Sequence, residues 1–449
     1  MCYPVHVESG VKQYQFLFLC GLFFLVYLLI LSYNWKTYPS RYGYDASDHI
    51  QYAKYIRRYW KRPQRKVTNE FYNPPTYYAL IAIISKACNE SVEDAGRQIA
   101  YVVSIVVFLF LVWIAWILWR DNSVAVFWFL GFYVFCPTVY KVFCMLRTEV
   151  LLVPMFVLSM LVVVFSSQKE WKISWWKVAF SWGVINLFST SIRHFGFFIV
   201  AFSIVLGFFL FLNKKWSIRE WIVFSVIQLF IGAGAYFFVQ HALGGSGTAF
   251  NLTSKPFHLG LIACLRLKKL FTHPVRPGLN YCFFPSLYAD FWGDYWRYWV
   301  EYLGRFKIPS SSRSIFLLRN MMWGAILPTI LFFGGWVKAV KEGIVLPRLN
   351  HCGKQKTLSW DFLLSVFLFL SFIFYVVMAT LYAIPNKGDT VKGIYIAYLI
   401  PVMAIFTGSF AAWLGVKRRW VSFLLYALGV CFFYFSLPVC LCLQGVIKT

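Results

Sequence analysis

Acidic residues are scarce in this chain: of 449 residues only 17 are Asp or Glu, against 43 Lys and Arg, for a formal net charge of +26. Charged residues of both signs make up 13%, roughly half the share of an ordinary soluble domain. No long Pro/Gly/Ser-rich linker interrupts the chain, so residues 1–449 are expected to form a single unit. A P-loop, an HExxH helix and a GxSxG elbow are all missing, which removes phosphate-cradling, zinc-peptidase and serine-hydrolase chemistry from consideration. There is no CxxC pair either. The eleven Cys are scattered, many inside apolar runs (Cys20, Cys144, Cys431, Cys440, Cys442), and are expected to act as small core hydrophobes rather than as metal ligands or a disulfide framework.

What the chain does have is apolar surface: 60% of residues are hydrophobic and 21% aromatic, with a mean hydropathy of +0.63. That composition predicts an all-α polytopic membrane protein. A span needs about 20 apolar residues, and runs of that kind fall at 14–33, 98–119, 123–140, 149–166, 176–192, 195–213, 220–240, 315–339, 360–382, 393–415 and 420–443. Eleven spans put the termini on opposite faces. The basic loops 167–176, 214–219, 338–356 and 417–419 then share one face, which the positive-inside rule makes cytoplasmic, with the N-terminus. The run Phe16 to Leu31 lacks a small-residue cleavage site and reads as a retained signal anchor. Topology and anionic lipid headgroups account for the basic clusters, and no recognition motif supports nucleic-acid binding. Residues 77–88 are apolar but too few to span, and are expected to form an interfacial or re-entrant helix after Pro74-Pro75. The outer face collects a first loop (34–97), residues 141–149, 191–194, a second large loop (241–314) and 386–392.

The sites with chemical potential lie on that face. In YDASDHIQY, Asp45 and Asp48 are three residues apart and Asp45 and His49 four apart, so a helix starting here would put them on one side. A positioned carboxylate is a natural base for a hydroxyl, and apolar surroundings are expected to raise its pKa toward the working range. The same pattern also fits Asp45 as an N-cap with Asp48 at N3. The basic run 57–66 suits a headgroup-level helix, with a phosphate-bearing lipid as partner. Arg147 and Glu149 open a span, where an Arg at the edge often only snorkels; Arg193 and His194 form a charged pair in a short turn between two spans, which is less easily dismissed; Lys392 precedes a span where it could balance a phosphate leaving group or serve as a snorkelling anchor. Tyr288, Asp290 and Asp294 lie in FFPSLYADFWGDYWRYW, whose rings and carboxylates have the makeup of a carbohydrate platform or of an interfacial aromatic belt. Asn89-Glu90-Ser91 and Asn251-Leu252-Thr253 are sequons on the outer face in this topology.

Taken in order, YDASDHIQY, Glu70 with the following PPxYY (EFYNPPTYY), RTEVLL, SIRHFG and a basic residue ahead of YxxYLIP resemble the GT-C membrane glycosyltransferases. The likeness is greatest to the branch of protein O-mannosyltransferases and aminoarabinose transferases, and runs from about residue 14 to 415. The resemblance implies a GT-C-like bundle of about 11 transmembrane helices whose outer first loop carries juxtamembrane helices. It implies a hexosyl- or pentosyltransferase that moves a sugar from a polyprenyl-phosphate donor, usually with inversion, to a lipid, glycan or protein acceptor at the outer or lumenal face. The first-loop acid carries over to Asp45, with Asp48 as the alternative, and the phosphate-binding cations to Arg193 and Lys392. The mannosyltransferase form has adjacent Asp-Glu, whereas Ala46 follows Asp45 here. Some members use a divalent cation, for which Asp45, Asp48 and His49 could supply ligands, although a tightly bound metal is not expected. The expected location is a bacterial cell (inner) membrane in preference to the endoplasmic reticulum. The competing reading is a transporter or flippase of a lipid-linked substrate, which would be expected to show inverted repeats and interrupted mid-membrane helices.

Overall fold

The computed structural model describes residues 9–167, 174–213, 215–242, 260–276, 278–299, 312–345, 359–381 and 391–441. The described residues form eighteen α-helices and no strand, except that residues 393–399 wind as a 3-10 helix. The helices are α1 (Ser9–Thr37), α2 (Ala46–Tyr59), α3 (Thr76–Ala87), α4 (Val92–Trp119), α5 (Ser123–Val134), α6 (Pro137–Cys144), α7 (Glu149–Ser167), α8 (Trp175–Ile192) and α9 (Gly196–Leu212). They continue as α10 (Ile218–Ala242), α11 (Gly260–Ala263), α12 (Leu267–Thr272), α13 (Phe283–Trp292), α14 (Ser312–Gly324), α15 (Ile326–Val345), α16 (Trp360–Leu381), α17 (Ile400–Lys417) and α18 (Arg419–Cys440).

The chain is a multi-pass membrane protein. Seven helices are long and apolar enough to cross a bilayer, and eight if one bent pair counts as a span. Their outer faces carry bare rings, such as Phe230 on α10 (79% exposed) and Phe423 on α18 (77% exposed), which only lipid can cover. Within the described residues each of the eleven expected runs is helical for most of its length, but they are not eleven equal spans. Residues 123–140 break into α5 and α6 with a 47° bend, because Pro137 has no N–H to continue the helix and pushes Cys136 to an extended conformation (φ −91°, ψ 111°). The carbonyls freed at the break are recovered: Tyr140 Oη donates to Val134 O at 2.7 Å, and Ser436 Oγ of α18 donates to Phe135 O. Apolar helices at Glu149–Phe165 and Gly196–Leu212 are short for a span. The 77–88 segment is the 12-residue α3, packed between α2 and α4.

Polar contacts join helices where hydrocarbon offers none. Asn186 on α8 donates to Ser203 Oγ (3.2 Å) on α9 and to Gln228 Oε1 (2.8 Å) on α10, and Gln228 returns a bond to Ala179 O at 2.9 Å. One cysteine expectation is overturned: Cys264 and Cys282 form a disulfide that ties the end of α11 to the residue before α13. Cys20, Cys144, Cys431 and Cys440 are free, as read from the sequence, and Cys442 lies outside the described residues. So do parts of the second large loop (243–259 and 300–311, with Asn251), and most of the basic loops at 167–176 and 338–356.

Candidate active site

Four separate segments meet at one polar centre. The first loop brings Asp45. The link between α6 and α7 brings Arg147 and Thr148, the first residue of α7 is Glu149, the α8–α9 turn brings Arg193, and the residue before the 3-10 helix is Lys392. Local geometry fixes each of them.

Asp45 sits ahead of α2 in a left-handed conformation (φ 54°, ψ 19°), and its side chain caps nothing. Its carbonyl takes up the N–H groups of Asp48 and His49 (3.0 and 3.1 Å), leaving the carboxylate free to reach across the fold to Lys392 Nζ at 3.1 Å. An αL conformation at a non-glycine residue is strained, and such strain persists where surrounding contacts hold it. The capping-box alternative is therefore not what the side chain does.

Arg193 ends α8, and its N–H closes on Ser189 O. The turn is tight enough that a Cβ on Gly196 would lie 2.1 Å from Ser189 O, so only glycine fits there. Arg193 Nη1 meets Thr148 Oγ1 at 2.6 Å and Glu149 Oε1 at 2.7 Å. Arg147, 1% exposed, donates from Nε to Glu149 Oε2 (3.3 Å) and from Nη1 to Tyr44 O (3.3 Å). The backbone of Lys392 is pinned from both sides by Tyr375, whose hydroxyl accepts from Lys392 N (2.9 Å) and donates to Lys392 O (3.1 Å). The next residue, Gly393, donates to Asp290 Oδ2 at 2.6 Å, with its Cα so close to α13 that an added Cβ would lie 2.8 Å from Phe291 Cα.

Tyr395 is the hub of the cluster. Its ring centroid lies 5.4 Å from the Arg193 guanidinium, 5.7 Å from that of Arg147 and 5.5 Å from Lys392 Nζ. Tyr44 (5.0 Å) and Trp296 (5.6 Å) also present their rings to Lys392. The sequence motifs contain Tyr395, Tyr44 and Trp296 but assign none of them a role. The signal for Tyr395 was its place three residues after Lys392, since positions i and i+3 eclipse in a 3-10 helix.

Three cations, Arg147, Arg193 and Lys392, thus face two carboxylates, Asp45 and Glu149. Asp45 is the open edge, its side chain 34% exposed against 8% for that of Lys392. Burial alone would raise its pKa, as the sequence suggested, but the charges of Lys392 and Arg147 outweigh burial and hold the carboxyl well below the usual range. His49 is pushed down to about 3 by burial and by Arg147, so its ring is neutral. Glu70 moves the other way, raised by burial and then by the charge of Asp45.

A hydrogen-bonded chain links these last two. Asn73 Nδ2 donates to Glu70 Oε2 and to Tyr78 Oη (3.3 Å), and Tyr78 Oη lies 2.7 Å from His49 Nδ1. Because Tyr78 accepts from Asn73, its own hydrogen is available to His49 Nδ1. That leaves the ring proton on Nε2, which is buried and has no partner.

The remaining candidates go elsewhere. Asp48 clamps the loop ahead of Glu70, its Oδ1 accepting from Asn69 N at 3.0 Å and Thr68 Oγ1 at 3.2 Å. Asp45, Asp48 and His49 therefore diverge rather than converge as metal ligands, and among the described residues no three His, Cys, Asp or Glu side chains group to hold an ion. His194 Nε2 lies 3.0 Å from Tyr236 Oη. Asp290 and Asp294 are fully buried. Asp290 takes bonds from Tyr44 Oη (2.5 Å), Lys141 Nζ (3.2 Å) and Gly393 N, and Asp294 Oδ2 accepts from Trp299 N, so neither carboxylate lines an open platform. Tyr288 turns to Met322 O on α14 at 3.3 Å. The 57–66 run is not one helix: α2 ends at Tyr59, and Arg62 is buried.

No family model matches this chain, and no curated protein matches it. Two solved structures of ArnT from Cupriavidus metallidurans are similar to it. The apo form is 12% identical with a TM-score of 0.40, covering 87% of this chain and 76% of that one. The form bound to undecaprenyl phosphate is 12% identical with a TM-score of 0.38, covering 89% of this chain and 78% of that one.

Proposed function

We propose that this protein is a GT-C membrane glycosyltransferase that moves a hexosyl or pentosyl group from a polyprenyl-phosphate donor to an acceptor hydroxyl on the outer or lumenal face, with inversion. The observation that carries this reading is the gathering of Arg147, Arg193 and Lys392 around Tyr395, with the partly exposed Asp45 carboxylate at the edge.

The chemistry follows from that charge distribution. Three cations, Arg147, Arg193 and Lys392, meet the two carboxylates Asp45 and Glu149 in ion pairs, and a donor phosphate gives the cations a further partner. The acceptor oxygen attacks the anomeric carbon from the face opposite the phosphate. The carbon–oxygen bond to phosphate breaks, the released charge falls on oxygens held by Arg193 and Lys392, and the acceptor proton passes to Asp45. Lys392 couples the two ends. When phosphate oxygens draw its ammonium away, Asp45 loses its principal charge partner and gains proton affinity as the hydroxyl needs a base. Asp45 suits this role better than Asp48, whose oxygens are taken up by Thr68 and Asn69. No step is routed through a metal ion.

The Cys264–Cys282 disulfide supports an oxidising side, periplasmic or lumenal, for the segment before α13; the reading keeps the N-terminus on the cytoplasmic side and the protein in a bacterial cell membrane. The test is incubation of purified protein with radiolabelled polyprenyl-phosphate sugar and membrane acceptors. A glycosidic product, with polyprenyl phosphate released one for one, supports transfer. Movement of intact donor across proteoliposomes without cleavage would establish the flippase instead.

A further inference from the structure

The open cleft between α12 and α14 plays no part in the transfer reaction just described, and its wall is two-sided. Its volume is about 660 Å³, inside the roughly 300–1,000 Å³ typical of ligand pockets. Lys268 on α12 and Arg319 and Asn320 on α14 form the polar side, while Leu267, Phe271 and Trp323 form the apolar one. The Phe271 and Trp323 rings lie 4.5 Å apart across the two helices, and Trp323 is still 58% exposed. Among the described residues neither cation has an ion-pair partner. Arg319 rests over the Phe316 ring at 5.4 Å, and Lys268 is exposed.

The depth of the cleft follows from the span to which α14 belongs, Arg313–Gly343. Residues 321–337 carry no charge and separate Arg319 from Lys338; as helix they rise about 26 Å, close to the ~30 Å of hydrocarbon in a bilayer. Arg319 therefore stands where hydrocarbon gives way to headgroups, with Trp323 one turn deeper, at the level an indole prefers. The charge is equally one-sided. No Asp or Glu occurs between Glu220 and Asp290, or between Glu301 and Glu342, whereas Arg266, Lys268, Lys269 and Arg276 lie in or beside α12 and Arg313 and Arg319 in α14. A zwitterionic headgroup would bring an ammonium that no nearby carboxylate in either segment meets; a headgroup of net negative charge matches. The positive-inside rule does not call for such a cluster beside a disulfide.

We propose that this cleft binds one anionic glycerophospholipid, with its phosphate between Lys268 and Arg319 and an acyl chain lying over Phe271 and Trp323. The site does not depend on the glycosyltransferase reading. Helix α12 packs on both α13 and α14, and the Cys264–Cys282 bridge ties the residues ahead of α12 to the start of α13. A lipid seated across α12 and α14 thus fastens the disulfide-braced segment to a membrane-spanning helix, and its binding stabilises the folded protein.

The test uses the full-length protein, purified in detergent and stripped of lipid, then titrated with phosphatidylglycerol or with phosphatidylcholine of the same chains while native mass spectrometry counts the bound lipids. Wild type is expected to take up one phosphatidylglycerol about tenfold more tightly than any phosphatidylcholine, and to melt higher once it is bound. Lys268→Gln and Arg319→Gln should each weaken that lipid about five- to tenfold, the worth of one cation at a headgroup. Trp323→Ala should weaken it while keeping the preference for phosphatidylglycerol. Lys268 and Trp323 are exposed, so those two variants keep the test alive if Arg319→Gln fails to fold. Arg419→Gln, at an exposed position that opens α18 outside the cleft, should bind as wild type does. Equal uptake of the two lipids, wild-type affinity in both Lys268→Gln and Arg319→Gln, or the same loss in Arg419→Gln would each overturn the site. Displacement of the lipid by glycerol phosphate at equal concentration would show a site for a free anion and overturn the lipid assignment.

Discussion

Two lysine–aspartate pairs lie on either side of Tyr44, and their surroundings differ. Lys141 and Asp290 approach to 3.2 Å with both side chains wholly buried, and the Asp290 carboxylate is also claimed by the Tyr44 hydroxyl and the Gly393 N–H. Lys392 and Asp45 approach to 3.1 Å, but a third of the Asp45 side chain is open and no further protein donor to its carboxylate is seen among the described contacts. The first pair is sealed and saturated; the second is open and can exchange partners. The sealed pair positions the open one, because Asp290 fixes Gly393 beside Lys392, and Tyr44, bonded to Asp290, presents its ring to Lys392. A polar group with every bond made rigidifies a fold, whereas one with bonds to spare is available to a substrate.

The largest effect should come from breaking the sealed pair. Asp290→Ala leaves Lys141 buried without a counter-charge and strips Tyr44 and Gly393 of their acceptor. A loss of about 3–5 kcal/mol is expected, seen as a lower melting temperature and little monodisperse protein. A variant that melts with wild type would show that Asp290 anchors nothing.

Breaking the open pair should spare the fold and remove the chemistry. Asp45→Asn is expected to slow transfer by roughly 10²–10⁴, the usual reach of a general base. Its effect on stability should be small. A carboxyl held below its ordinary pKa contributes stability above that ordinary value and loses it as pH falls through the folded value, but a partly exposed pair is screened. Lys392→Met should cost on the order of 10²-fold in turnover. The double variant should lose much less than the product of the two, since the residues act as a unit. Multiplying effects would show that Lys392 does not control Asp45.

His49 sharpens the contrast through pH. With its pKa down at about 3 it stays neutral, so kcat/KM should show no histidine inflection between about pH 5 and 8. An inflection there that vanishes in His49→Gln would mean that the ring is charged in the working protein.

The helical membrane class was legible because apolar runs of span length have few other uses, and Arg193 and Lys392 were legible because a charge beside apolar helices is hard to dismiss. The sequence pattern placed Asp45, Asp48 and His49 on one face, yet the fold sends Asp48 to Thr68 and Asn69 and His49 to Tyr78. Spacing along a helix states which residues are neighbours, not which partners in distant segments claim them. The Asp45 pKa was misjudged for the same reason: burial was foreseeable, but the Lys392 ammonium that reverses its effect comes from 347 residues further along the chain. Asp290 looked like a sugar ligand because composition cannot tell an acid on a surface from one that caps a buried 3-10 helix. The disulfide was missed because nothing in an 18-residue separation distinguishes a bridge from two core cysteines.

The smallest expected effect concerns the third carboxyl, Glu70, which shares the polar centre but carries the opposite shift from Asp45. Its pKa is raised by burial and by the Asp45 charge, so the folded state holds its proton to higher pH than the unfolded chain. Ionising it therefore costs stability, and the cost grows as pH rises from the ordinary carboxylate range through the folded value. Glu70→Gln keeps an oxygen for the Asn73 amide and cannot ionise. It should melt slightly higher than wild type at pH 8, by an amount of order 1 kcal/mol, with the gap closing as the pH is lowered toward 4. Turnover should change little if Asp45 alone takes the proton. A large loss of turnover in Glu70→Gln, with the melting temperature raised as expected, would move the base from the open pair to this buried acid.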